Sequence, residues 1–262
     1  KEVIRDIEIT LELSDRALGG KLSWAPHSSP AHRYFLYSDP FFDYWREVER
    51  QGGEISVHPH EDIPGERSRI RETGHMRIVI EDLLNVLTQA GCAPKSFRPG
   101  YFGRNDELAG VLEELDLLVD YSAAPGRHDD FVGCDWRGAP LSGGFLSHGS
   151  AAEFGSPGKD RSKVFEIPLA WDGKGDKFEE NYLFNELSTL EKLKTVFSTL
   201  QQRTRSEGAP QFVHFLFHSS AMTKSLFREQ VVDLAGHILE NEGKLVTGAE
   251  ARKIYLGGPA SS

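Results

Sequence analysis

The feature that most constrains the fold of this chain is a regular alternation of short strand-like and longer helix-like segments along its 262 residues. The stretch Val3–Leu13 places Val3, Ile7, Ile9, Leu11 and Leu13 on one parity. Ile4, Asp6, Glu8, Thr10 and Glu12 fall on the other, and a period of two over that length predicts a strand. Further strands are expected at Arg33–Tyr37, Glu54–His58, Ser96–Arg98, Leu117–Tyr121, Val164–Leu169, Gln211–Phe217 and Lys244–Thr247. Between most of them lie three-four apolar stripes: Met76, Ile80, Leu83, Leu84 and Leu87; then Leu108, Val111, Leu112 and Leu115 behind a capping Asn105. A long helix is expected over Leu183–Leu200, and another over Leu226–Ile238, closed by Gly243. Such an order of elements predicts an α/β barrel of seven or eight mostly parallel strands in a single domain over residues 1–262. Ser122–Ser162, rich in Gly, Ser and Asp, breaks the rhythm and reads as one long functional loop.

Composition narrows the partners. Forty acidic against thirty basic side chains give a formal charge of −10, which argues against a nucleic-acid backbone or an anionic membrane. With 39% hydrophobic residues the chain can build a core, and no apolar run is long enough to span a bilayer. The two cysteines, Cys92 and Cys134, make no disulfide framework. The first residue is Lys1 and no signal peptide is present, which tips the expected location toward the cytoplasm without fixing it. The oligomeric state is left open.

In a parallel α/β barrel the carboxyl ends of the strands carry the site. Those ends offer Asp6 and Glu8, then His58 with His60 and Asp62, then Arg98, and finally His218. The segment Gly52–Asp62, G-G-E-I-S-V-H-P-H-E-D, is the sharpest signal. His58 and His60 share parity, Asp62 stands four residues beyond His58, and imidazoles with a carboxylate suit Zn²⁺, Ni²⁺, Co²⁺ or Mn²⁺. In K-S-F-R-P-G-Y-F-G-R, Arg98 ends a strand where a guanidinium can hold a carboxylate ionised. In Q-F-V-H-F-L-F-H-S-S, His218 sits at the strand end as a candidate general acid, while His214, deeper in the strand, reads as a core histidine.

Taken in order, the early acids, G-x-E-I-x-x-H, F-R-P-G and the late F-x-F-H-S resemble the polysaccharide deacetylase family, the nodulation-factor deacetylase homology domain of carbohydrate esterase family four. The resemblance runs from Val3 to about Thr247 and implies a distorted (β/α) barrel that removes acetyl groups from sugars with a divalent metal, zinc first among the alternatives. It implies Asp6 as base, Glu8 and His58 as metal ligands with either His60 or Asp62 beside them, Arg98 orienting the base, and His218 protonating the leaving group. The chain departs from the family in its first block, where R-D-I-E-I-T stands in place of T-F-D-D-G. A carbohydrate substrate is the partner so implied, bound between Ser122–Ser162 and Trp24–Tyr37, with Trp24, Trp136 and Trp171 as candidate stacking surfaces. Two rivals remain: an amidohydrolase-like metal hydrolase, which places its HxH on the first strand, and a barrel that binds carbohydrate without catalysis.

Overall fold

The computed structural model describes residues 2–60, 66–174 and 181–257. Its centre is a seven-stranded sheet in the order β1 (Ser23–Trp24), β2 (Glu54–Val57), β3 (Ser96–Phe97), β4 (Val119–Asp120), β9 (Arg161–Glu166), β7 (Gly144–Ser147) and β8 (Ser150–Phe154). From β1 to β9 every pairing is parallel, and β7 and β8 fold back antiparallel at the far side. Past β9 the parallel run continues through single bridges, Leu169 to His214 and Phe184 to Leu216. The parallel strands and the helices between them match the α/β reading.

Several expected elements take another form. Val3–Leu13 belongs to a helix, α1 (Glu2–Ala17). Its buried residues Ile7, Thr10, Leu11, Leu13 and Ser14 recur at three- and four-residue spacing, so the helical period won over the period of two that the same residues also contain. The chain turns out of the helix through Gly20, whose φ of +75° and an added-Cβ distance of 1.9 Å to the carbonyl oxygen of Gln51 leave room only for glycine. Arg33–Tyr37 lies largely in α2 (Pro30–Leu36), where Pro30 occupies the first turn, the position that tolerates a missing N–H. A third helix, α3 (Phe41–Arg50), follows before β2. Lys244–Thr247 forms no strand and leads into α8 (Gly248–Tyr255), which opens with a reciprocal capping box between Thr247 and Glu250. Ser122–Ser162 is not one loop: it holds β7, β8, the start of β9, and the antiparallel pair β5 (His128–Asp129) and β6 (Cys134–Asp135).

The stripe from Met76 to Leu87 forms α4 (Thr73–Gln89), and Leu108–Leu112 lie in α5 (Leu108–Glu114). The long helix begins later than Leu183, as α6 (Leu190–Glu207), capped by Thr189 and ended by left-handed Gly208, and α7 (Ser225–Glu240) follows as expected. One face of the parallel strands, Ile55, Val57 and Phe97, is buried in a single cluster with Trp45 and Val48 of α3 and Ile80, Leu83 and Leu87 of α4. The alternate residues point the other way and are polar: Ser56 and Ser96 share a hydroxyl hydrogen bond of 2.6 Å across β2 and β3. That alternation aims Glu54, His58 and Arg98 at a common interior. Among the described residues no helix is long and apolar enough to cross a membrane.

Candidate functional site

The floor of this interior is a buried carboxylate. Glu54 Oε1 accepts from Ser23 Oγ and Tyr121 OH, each at 2.7 Å, and from the Gly248 N–H at 3.2 Å, while Oε2 accepts from the Ala249 N–H at 3.2 Å. The first backbone N–H groups of α8 thus meet a negative charge, the arrangement a helix dipole favours. Above the floor the Tyr121 ring meets the His214 ring edge-on, with centroids 5.4 Å apart.

Arg98 comes next. Its Nη1 donates toward His214 Nε2 at 3.4 Å, and its guanidinium lies 4.4 Å over the Phe102 ring, with Arg127 5.4 Å from the same ring. Desolvation, aided by the positive charge of Arg127, pulls the Arg98 pKa down to about 10, which still leaves it charged at neutral pH. His214 Nδ1 sits 2.7 Å from the carbonyl oxygen of Ile167, so that nitrogen carries the proton and Nε2 faces the arginine. Burial and the neighbouring Arg98 charge drive its pKa down to about 3, so the imidazole is neutral.

His58 follows β2 directly. Its Nδ1–H donates to the Arg98 carbonyl oxygen at 2.6 Å, which leaves the lone pair on Nε2. Burial, with Arg98 as the next cause, holds its pKa well below 6.5. Ser28 clips this turn to the loop after β1: its hydroxyl donates to the His58 carbonyl at 2.7 Å and accepts from the His60 N–H at 2.9 Å. The His60 ring stacks on His27 at 4.0 Å and lies 4.6 Å from Tyr101. His27 in turn is 4.7 Å from His32 and 6.0 Å from His58, so four imidazoles line one side of the mouth. Tyr101 and Phe102 hold φ values of 54° and 58°, a costly conformation for bulky residues. The Gly100 N–H is spent on the Pro59 carbonyl at 2.8 Å and is not a free oxyanion donor.

The sequence-derived residues divide accordingly. His58, His60 and Arg98 come together. Asp6 and Glu8 do not stand on a strand beside them: both lie on α1, which packs against α3 and α7, and Glu8 is an exposed residue whose Oε1 accepts from Tyr44 OH at 3.0 Å. His218 points outward, its side chain 59% exposed and paired with Glu186 at 3.4 Å. Asp62 lies outside the described residues. Trp136 and Trp24 are core residues, the first donating to the Phe102 carbonyl and the second packed on Trp45, whereas Trp171 is half-buried against Tyr182.

Sequence reasoning passed over His27, Tyr121 and the placement of His214. The available signal for His214 was its even spacing from His218 in V-H-F-L-F-H, which puts both on one strand face. Nothing in the sequence said which of the two lay at the mouth.

A second buried pair sits beside the site. Asp120 and Glu166 are register partners on β4 and β9 and are 3% and 2% exposed. Asp120 Oδ1 accepts from the Ser122 N–H, Glu166 Oε1 accepts from the Ala123 N–H, and Glu166 Oε2 has no hydrogen-bond partner. Burial pushes both carboxyls up, and for Glu166 the neighbouring Asp120 charge adds to the effect.

The metal implied by the resemblance meets only part of a site here. His58 is oriented as a ligand would be, but among the described residues no three His, Cys, Asp or Glu side chains come together to hold an ion.

The fold defined by these elements is a parallel α/β architecture with its polar site at the strand ends. Solved structures similar in fold include two described as follows. One is described as a "putative polysaccharide deacetylase" from Mycobacterium smegmatis, with a TM-score of 0.57 and 14% identity over 98% of this chain and 79% of its own. The other is described as a "putative glycoside hydrolase/deacetylase" from Parabacteroides distasonis, with a TM-score of 0.70 and 14% identity over 97% of this chain and 65% of its own, so this chain spans just under two thirds of it. No family model and no curated protein matches the sequence.

Proposed function

We propose that this chain is a carbohydrate-active hydrolase of the deacetylase kind, with its cleft at the carboxyl ends of β2, β3 and β4. The observation that carries the proposal is the convergence of His58, Arg98 and His214 at that end, within a fold shared with proteins described as deacetylases. The chemistry follows from the tautomers. His58, neutral and with its lone pair on Nε2, is fitted to take a proton from water. Arg98 keeps N–H groups not used by His214 and is fitted to stabilise the oxygen of an acyl group as charge develops on it. His214 accepts from Arg98 and so acts as a positioning residue for that guanidinium. The Trp171 and Tyr101 faces are fitted to pack on sugar rings.

Alternatively, the His58 Nε2 lone pair would, with His60 or Asp62, hold a divalent metal, zinc first, that would polarise the acyl carbonyl, and His58 would then not be the base. A second reading, carbohydrate binding without hydrolysis, draws support from the position of Asp6 and Glu8 on an outer helix. Acetate release from acetylated chito-oligosaccharides and acetylated xylan separates the two. Release that is lost in Arg98→Ala supports hydrolysis; binding of either glycan without release supports the second reading.

A further inference from the structure

The turn that leaves β4 hangs on the Asp120–Glu166 pair. Ser122 gives its N–H, at 3.0 Å, and its hydroxyl to Asp120 Oδ1. The next N–H, from Ala123, goes to Glu166 Oε1 at 3.0 Å. Two consecutive amides are thus held by carboxyls from two different strands. The Asp120 and Glu166 carboxyls are also within hydrogen-bonding reach of each other. Glu166 Oε2 is a buried atom that no N–H or O–H among the described residues satisfies. Two carboxylates in such contact repel, whereas one proton between them turns the contact into a strong hydrogen bond.

The same turn reaches the proposed cleft. The Ala123 carbonyl accepts from the Leu169 N–H at 2.8 Å, the Ala124 carbonyl from the Arg127 N–H at 3.0 Å, and the Gly126 N–H donates to the Trp136 carbonyl at 3.0 Å. Gly126, with φ of +84°, lies so close to Trp171 that an added Cβ would stand 2.7 Å from the ring. Arg127 donates from Nη1 to the Tyr101 carbonyl at 2.9 Å and covers Phe102, the ring that Arg98 also covers. A displacement of the turn therefore reaches Trp171, Tyr101 and Arg98 together.

The surroundings leave the two acids to each other. On β3, Arg98 is the cation that senses the Glu166 charge. On β4, the Tyr121 hydroxyl is committed to Glu54. On β7, the register partner of Glu166 is Gly144, which has no side chain to offer. The acids at α5, which packs on β9, are engaged elsewhere: Glu107 with Thr73, Glu113 with the Lys163 N–H and Glu114 with Arg77. The start of α8 meets Val119, whose side chain is on the other face of β4.

We infer that Asp120 and Glu166 share one proton at neutral pH, carried on Glu166 Oε2 and donated to Asp120, and that this acid–carboxylate pair is a latch positioning turn 122–127, and with it Trp171 and Arg127, at the cleft. Loss of the proton to solvent sets two buried negative charges side by side. The carboxyls then part, and the Ser122 and Ala123 amides move with them. Both acids are positioning residues, and their bearing on substrate rests on the hydrolase reading above.

NMR of the whole chain tests the latch apart from any enzymatic activity. As pH rises, the Ser122 and Ala123 amides should report the two proton losses of the pair at common midpoints. At the upper step the Gly126 amide and the Trp171 indole N–H should move with them. Glu166→Gln, whose side-chain amide donates to Asp120 as the acid does, leaves one titratable carboxyl and should remove the upper step from all four signals. Asp120→Asn carries the same expectation should Glu166→Gln not fold. An upper step confined to Ser122 and Ala123, or one that survives both substitutions, overturns the inference. KM for acetylated chito-oligosaccharide should rise about tenfold per pH unit above the upper midpoint in the wild type and stay level in Glu166→Gln. A KM that rises equally in both proteins also overturns it. Absence of acetate release at every pH counts against the hydrolase reading and not against the latch, which the resonances decide.

Discussion

His58 Nδ1–H donates to the carbonyl oxygen of Arg98 at 2.6 Å, so a side chain from one parallel strand end fastens the backbone of the next. The bond fixes the tautomer of His58 and the direction in which Arg98 leaves β3. Two groups of the proposed cleft therefore share one geometric constraint.

His58→Ala removes that fastening and leaves a partly buried carbonyl without its donor. Unfolding free energy is expected to fall by about 1–3 kcal/mol, read as a lower urea midpoint. Acetate release should fall by about a hundredfold or more. A variant that loses stability but keeps turnover would remove His58 from the proposed chemistry.

Gly100→Ala places a Cβ 2.8 Å from the His60 ring. The ring must move off the turn, disturbing its stack with His27, and the expected cost is about 1–3 kcal/mol in stability. The His60 ring resonances should shift while those of His214 stay in place, a pattern that NMR reads directly.

The Asp120–Glu166 pair predicts a stability that falls as pH rises. Both folded-state pKa values lie above their unfolded ones, Asp120 at about 6 against an ordinary 3.8. The folded protein therefore holds a proton that the unfolded chain has already released. The contribution is fully present below about pH 4 and is lost as pH passes through about 6. Glu166→Gln, which keeps the shape and removes one charge, should flatten this slope and raise stability at pH 7 by roughly 1–3 kcal/mol. Urea titrations of both proteins from acid to neutral pH check it; an unchanged slope would show that Glu166 does not contribute to it.

Metal content is the fourth expectation. If His58 with His60 or Asp62 holds the proposed ion, the wild type should retain about one equivalent of Zn²⁺ after dialysis and His58→Ala should lose it. Elemental mass spectrometry of the two proteins reads this. Less than one equivalent in the reconstituted wild type would remove the metal from the proposed function.

The architecture was legible where a single period was available. Glu54–Val57 and Ser96–Phe97 were bounded by Gly and Pro and had no helical alternative, and the Met76–Leu87 stripe had no strand alternative. At α1 the same residues satisfy both periods, and the β-branched residues between Val3 and Thr10 favour the wrong one. Only the tertiary packing of Ile7 and Leu11 decides. That single ambiguity carried Asp6 and Glu8 into the expected site. Of the site itself, His58 and Arg98 were legible because each immediately follows a short apolar strand. His27 was hidden because a two-residue strand precedes it, and His214 because the sequence does not say where segment 213–217 meets the mouth.

The contacts at Glu54 also bear on the order in which the molecule can be made. Its carboxylate belongs to β2, yet two of its hydrogen bonds come from Gly248 and Ala249, 194 and 195 residues further on. While the chain is still being synthesised, every strand of the sheet is made before these two donors exist. Until α8 docks, Glu54 Oε2 lacks the Ala249 N–H and Oε1 keeps only the Ser23 and Tyr121 hydroxyls. Completion of the fold is thereby tied to completion of translation through α8.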